Sequence, residues 1–137
     1  MKICMDTNIL IYFLEGIEPE ASKAEKILKG FTKNEDEGIV STITVAEVLT
    51  GFYLEGDLTR VNKMKNIFDD LTFSSLKIVP VTFKIADIAA NLRAKRGGKL
   101  PDAIIVATAL DQAANVVYSE DKDLLRFSKD VRICGLL

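Results

Sequence analysis

Apolar positions along the chain fall into short runs and helical stripes that alternate with one another. Lys2 to Met5 is a brief apolar run with the length of a strand, and it ends at Asp6. A helix follows through Leu14. A second opens at Pro19, where the missing N–H of proline costs nothing because the first turn leaves it unpaired. Ala24, Ile27, Leu28 and Phe31 recur on that helix with its own period. The stretch Thr32 to Gly38, centred on Asn34-Glu35-Asp36-Glu37, reads as a surface connection. Ile39 and Val40 form a short strand, and the hydroxyls of Ser41, Thr42 and Thr44 can cap the helix Thr44 to Leu54. That helix is apolar on two sides: Val45, Val48, Leu49 and Phe52 make one stripe, with Ile43, Thr50 and Leu54 nearly opposite and Glu47 among them.

The next helix carries Val61, Met64, Ile67, Phe68 and Leu71 on one face and runs to about Phe73. Lys77 to Val81 is a third strand, in which Pro80 marks an edge or a strand end. Ile85, Ile88, Ala89 and Leu92 define a helix that stops near Gly97-Gly98. Pro101 starts the segment Asp102 to Ala114, apolar nearly all round and therefore a buried helix, and Val116 to Tyr118 and Val131 to Cys134 complete the strands. Strands separated by helices, with no hairpin turns between them, predict an α/β fold: a parallel central sheet with helices on both faces. The 137 residues suit a single domain spanning 1–137, long enough to bury roughly two-thirds of the unfolded surface. In such a fold the ligand site lies at the carboxyl ends of the strands.

Composition narrows the chemistry. The chain contains no histidine, which excludes Ser-His-Asp and Cys-His catalysis and any imidazole-ligated zinc. A net charge of −2 and a pI near 5.2 supply no global attraction for nucleic acid or an anionic membrane. No apolar run approaches the ~18–20 residues of a membrane span, and the opening Met1-Lys2-Ile3-Cys4 lacks a signal-peptide core, so a cytoplasmic, reducing location is expected. Cys4 and Cys134 accordingly read as buried thiols.

Acids stand where the sheet should hold its ligand. Asp6 follows the first strand directly, and Asp121 lies in Ser119-Glu120-Asp121-Lys122-Asp123 after the Val116 strand. Glu47 and Asp102 sit in otherwise apolar surroundings. Ionised carboxylates are costly to bury alone, so a converging set needs a cation or shared protons. Oxygen donors without imidazole or thiolate select Mg²⁺ or Mn²⁺. Singly, each acid has a plain role: Asp6 as a helix cap, Asp102 as a first-turn residue, Glu47 and Asp121 as solvated charges. Asp111 is the internal control, because helical geometry turns it about 180° from Asp102. Asp123 is a reserve candidate.

Four segments carry a resemblance: Ile3-Cys4-Met5-Asp6-Thr7-Asn8, Ser41-Thr42-Ile43-Thr44-Val45-Ala46-Glu47, Leu100-Pro101-Asp102-Ala103 with the helix beyond it, and Val117-Tyr118-Ser119-Glu120-Asp121-Lys122-Asp123-Leu124. In this order the chain resembles the PIN-domain nucleases, in particular VapC-like toxins of toxin–antitoxin pairs. The resemblance implies that Asp6, Glu47, Asp102 and Asp121 are the catalytic, metal-binding set for one or two Mg²⁺ or Mn²⁺ ions, with Asn8 and Ser119 as polar support. It implies metal-dependent hydrolysis of RNA phosphodiesters, a cognate antitoxin and a homodimer. Two departures, Leu124 for a frequent aromatic and Ser119 for the commoner threonine, leave the chemistry intact.

Arg93, Lys95, Arg96 and Lys99 cluster just before Asp102 and are candidate RNA contacts, although cations at a helix end are also favoured by the dipole alone. Ile11, Tyr12, Leu14, Ile17, Phe52 and Tyr53 are either core or a groove for the antitoxin. Two alternatives stand beside the nuclease: a non-catalytic RNA-binding or assembly module of the same fold, and a haloacid-dehalogenase-like phosphatase. The phosphatase needs a second acid two positions after Asp6, where this chain has Asn8.

Overall fold

The structure is a computed structural model that describes residues 1–69 and 73–136. Its elements run β1 (Lys2–Met5), α1 (Thr7–Glu15), α2 (Glu20–Thr32), β2 (Glu37–Ser41), α3 (Thr42–Leu54), α4 (Leu58–Asp69), β3 (Leu76–Val79), α5 (Phe83–Arg96), α6 (Leu100–Asp111), β4 (Val116–Tyr118), a 3-10 turn (Lys122–Phe127) and β5 (Ile133–Cys134). The five strands form one sheet in the order β3-β2-β1-β4-β5, every pair parallel. This is the expected α/β architecture, with β1 at the centre.

The period-two alternation of side chains along each strand sorts the core into two halves. Ile3 and Met5 of β1, Val40 of β2 and Val116 of β4 pack against Leu10, Leu28, Phe31, Val48 and Met64 from helices α1 to α4. Their strand neighbours Cys4, Ile39 and Val117 point the other way, into Ile85, Ala89, Ile105, Val106 and Phe127. Burial on both sheet faces explains why the central strands read as unbroken apolar runs. Cys4 is fully buried and Cys134 half-buried, and both are free thiols. Burial, with the charge of Asp6 behind it, pushes the Cys4 thiol up to about 12, which leaves it inert.

Element ends follow local chemistry. Asp6, Ser41 and Thr82 cap α1, α3 and α5 by accepting from the backbone N–H of Thr7, Ile43 and Ile85. α2 starts one residue beyond Pro19. β3 is an edge strand and Pro80 comes directly after it, so both expectations for that proline hold. α6 stops at Asp111 rather than at Ala114, because the chain turns into a left-handed conformation at Ala113 (φ 54°). β5 is shorter than the apolar stretch from Val131 that suggested it. The expected contribution of Leu71 to α4 lies outside the described residues. Among the described residues no helix is long and apolar enough to cross a membrane.

Parallel pairing aligns the carboxyl ends of the strands. Met5 is the register partner of Tyr118, so the next residues, Asp6 and Ser119, emerge side by side. The Asp6 N–H donates to the carbonyl of Tyr118 at 3.0 Å and locks that junction. At the opposite end of β2, Gly38 pairs with both Ile3 and Leu76 and is buried. A Cβ there would lie 2.6 Å from Cε2 of Phe31 and 2.8 Å from Cδ1 of Leu76. Gly38→Ala should therefore destabilise the fold by about 1–3 kcal/mol through overpacking. Urea unfolding checks it: the midpoint falls at constant slope, and an unchanged midpoint would show that Phe31 yields freely.

Candidate active site

Four elements deliver four acids to one cavity of about 200 Å³, lined by Asp6, Thr7, Asn8, Ile11, Glu47, Lys99, Pro101, Asp102 and Asp121. Asp6 comes from the β1–α1 junction, Glu47 from α3, Asp102 from the first turn of α6 and Asp121 from the turn after β4. Asp6 is 3% exposed and densely held. One oxygen, Oδ1, accepts from the Thr7 N–H at 2.7 Å. The other, Oδ2, accepts from the Ser119 hydroxyl at 2.6 Å and from the Asn8 amide at 3.3 Å. Ser119 Oγ in turn accepts from the Asp121 N–H at 3.0 Å, and Asn8 Oδ1 accepts from the Glu120 N–H at 3.2 Å. Asn8 and Ser119 thus tie the loop after β4 to the start of α1. Glu47 is exposed, and its Oε1 accepts from the Thr7 hydroxyl at 2.8 Å.

Thr7 was not singled out in the sequence, although it stands between Asp6 and Asn8. Its backbone orients one acid and its side chain another, 40 residues away. The plain role of Asp6 as a helix cap and its place in the acid cluster are one arrangement.

The cluster is electrostatically strained. Burial raises the Asp6 carboxyl above the usual range; the hydrogen bonds from Ser119 and Thr7 pull it back, while the charges of Glu47 and Asp121 push it further up. Asp102 is raised to about 6, first by burial and then by the charges of Asp6, Asp121 and Glu47, against the opposing pull of Lys99. Asp111, the control, points away: its carboxylate meets Lys84 Nζ at 3.3 Å and the Gln112 amide at 3.0 Å. Asp123 is exposed and does not line the cavity; its N–H donates to Asp121 Oδ1 at 2.9 Å.

The four basic residues do not form one strip. Lys99 lines the acid cavity. Arg96 is committed to Asp130, donating from Nε to Oδ2 at 3.1 Å and from an Nη to Oδ1 at 3.2 Å. Arg93 donates from Nε to the Gly98 carbonyl at 3.1 Å, and Lys95 is exposed. Arg126, also outside the sequence reading, donates to the carbonyls of Asp123 and Arg96. It occupies the space beside Gly98 that a Cβ would fill, 2.9 Å away. Gly98 (φ +86°) therefore needs its backbone freedom, and a side chain there would displace Arg126.

The chain matches the PIN domain family over residues 3–130. It belongs to the PIN domain family. A toxin–antitoxin complex from Klebsiella pneumoniae is similar at 26% identity, covering 98% of each chain with a TM-score of 0.71. VapBC2 from Rickettsia felis, bound to a DNA fragment from its promoter, is similar at 19% identity over 98% of each chain, with a TM-score of 0.74. VapC20 of Mycobacterium tuberculosis, described as a sarcin-ricin loop cleaving toxin, is similar at 14% identity over 90% of this chain and 92% of that one, with a TM-score of 0.71. The last two likenesses bear on the fold. No curated protein matches the chain.

In this PIN domain the donor set fits a hard divalent cation in kind: carboxylates, hydroxyls and an amide, mutually repelling and without imidazole. Among the described residues, however, no group of three or more acidic, cysteine or histidine side chains is set to hold an ion as it stands.

The raised pKa of Asp102 has a consequence for stability. Its protonated form favours the fold, so this contribution is complete below about pH 4 and is lost as pH rises through about 6. Without divalent ions, Asp102→Asn should be more stable than wild type at pH 7 by about 1–2 kcal/mol, allowing for screening at a half-buried site. The gain should vanish by about pH 4. Thermal melts across that range test it; parallel pH profiles for the two proteins would refute it.

Proposed function

We propose that this PIN domain is a Mg²⁺- or Mn²⁺-dependent endoribonuclease and the toxin of a toxin–antitoxin pair. The observation that carries the reading is the convergence of four carboxylates from distant parts of the chain on one small cavity, at an electrostatic cost that a divalent cation would relieve. Asp6, Asp102 and Asp121 would hold the principal ion, with Glu47 as a further acidic donor. Bound there, the ion supplies positive charge to the scissile phosphate and a more acidic water as nucleophile.

The chain's own residues do the positioning. Ser119 and the Thr7 N–H fix both oxygens of Asp6, and the Thr7 hydroxyl fixes Glu47. Lys99, on the cavity wall, faces the phosphate backbone and offsets the charge brought in with it. No histidine is needed, since the carboxylates and the ion together take the place of a side-chain base.

The partners this reading assigns are RNA, an antitoxin and a second copy of the chain, acting in the cytoplasm. Toxin–antitoxin complexes among the similar structures support the antitoxin. Of the apolar residues considered for its groove, Leu14 and Phe52 belong to the core, Ile11 and Tyr12 are half-buried, and Ile17 and Tyr53 are exposed. Leu54 and Leu58 are likewise exposed, at 83% and 61%.

With Mg²⁺ or Mn²⁺ and an RNA substrate, wild type should cleave and Asp6→Asn should lose about 10²–10³-fold in rate while remaining folded by circular dichroism. Mn²⁺ titration should show binding to wild type that Asp6→Asn or Asp102→Asn weakens. Expression in a bacterial host should arrest growth with wild type only. Cleavage by Asp6→Asn at the wild-type rate would overturn the assignment, and RNA binding without any cleavage would favour the non-catalytic module.

A further inference from the structure

The segment from Gly97 to Asp102 separates two concavities. Lys99, Pro101 and Asp102 line the acid cavity, whereas Gly97, Gly98 and Leu100 line a second cleft of about 530 Å³ whose other wall is Ala90, Arg93 and Ala94 of α5. The residues of one short stretch are thus divided between two concavities. We propose that this second cleft seats one unpaired ribonucleotide of the substrate strand, next to the scissile phosphate, a specificity that rests on the ribonuclease reading above.

Its chemistry suits a nucleotide. Leu100 is an apolar side chain left 48% exposed, and with the methyl groups of the exposed Ala90 and Ala94 it gives a base an apolar bed. Arg93 borders the cleft and, among the described residues, has no acid within ion-pair distance. Its Nε is spent on the Gly98 carbonyl at 3.1 Å, which aims the guanidinium and leaves the Nη groups for a phosphate. Arg96, three residues on, is removed from the same task by Asp130, so the cation in this cleft is Arg93. The wall is held from behind. Arg126 fills the space beside Gly98 and is tied to the carbonyls of Asp123 and Arg96, which spares the cleft the ordering cost of a mobile loop. Small residues on α5 keep the cleft open, and a duplex could not deliver a single base into it without unpairing.

Ala90→Leu fills the cleft without touching the core or the acids, and leucine is nearly as good a helix former as alanine. Arg93→Gln removes the charge. The test measures KM for cleavage of a single-stranded RNA 12-mer with Mg²⁺, and Kd for the same RNA by fluorescence anisotropy with EDTA in place of Mg²⁺. Ala90→Leu should raise both about tenfold, with a smaller change in kcat, unchanged Mn²⁺ affinity and an unchanged melting temperature. Arg93→Gln should also flatten the log–log salt dependence of binding by about 0.7. A wild type that neither cleaves nor binds single-stranded RNA would overturn both the ribonuclease reading and the cleft. A wild type that cleaves while Ala90→Leu keeps its KM and Kd would overturn the cleft alone, even if Arg93→Gln weakened binding. A wild type that binds without cleaving, and loses affinity on Ala90→Leu, would remove the nuclease and uphold the cleft.

Discussion

Burying a carboxylate at the end of the central strand of a parallel sheet is the constraint from which this structure's site follows. Asp6 is taken from water at the point where β1 gives way to α1, and nothing in a two-sided apolar core can compensate it. The compensation comes from groups that the sheet itself brings there: the N–H at the start of α1 and the hydroxyl of Ser119, which register places beside it because Met5 pairs with Tyr118. The helix dipole at that start favours the same negative charge. One residue therefore closes a helix, joins two strand ends and anchors the acid cluster.

The other three acids turn this local arrangement into a mutually repelling cluster. Hydrogen bonds stabilise Asp6 as a charge, but Glu47, Asp102 and Asp121 add repulsion that the protein's own groups do not cancel; Lys99 opposes it only in part. A fold selected for stability alone would have no reason to gather them. Strain of this sort is common where a ligand is expected, and here it is localised to one cavity at the end of the sheet predicted to hold the ligand. Of the four basic residues beside α6, one lies among the acids, one borders the neighbouring cleft, one staples α5 to the segment that carries Asp130, and Lys95 is exposed.

Much of this was legible in the residues. Two-fold alternation and helical stripes placed the strands and helices, and the direction of Asp111 followed from helical geometry alone, since both acids lie on one regular element. Asp6 and Asp121, which follow strands, pointed to a common site because parallel pairing makes every strand end on the same side, and Glu47 and Asp102 stood out as acids in otherwise apolar helices. What periodicity missed were endings decided by a single backbone conformation, such as the left-handed turn at Ala113 that stops α6 early. It also missed partnerships across long stretches of chain: Thr7 with Glu47, Arg96 with Asp130, Arg126 beneath Gly98. A run of cations gives no sign, in sequence, of which member has an acid waiting for it.

The sequence by itself determined the class of the fold, the absence of imidazole and which acids follow strands or stand in apolar helices, because each depends on local composition and on periods of two and 3.6 residues. Tertiary structure decided how those acids are held and at what electrostatic cost, which cation faces them, and that a glycine-rich connection became a wall between two concavities. Those outcomes depend on distances between residues far apart along the chain, and such distances are set by packing and strand register, which no local pattern encodes.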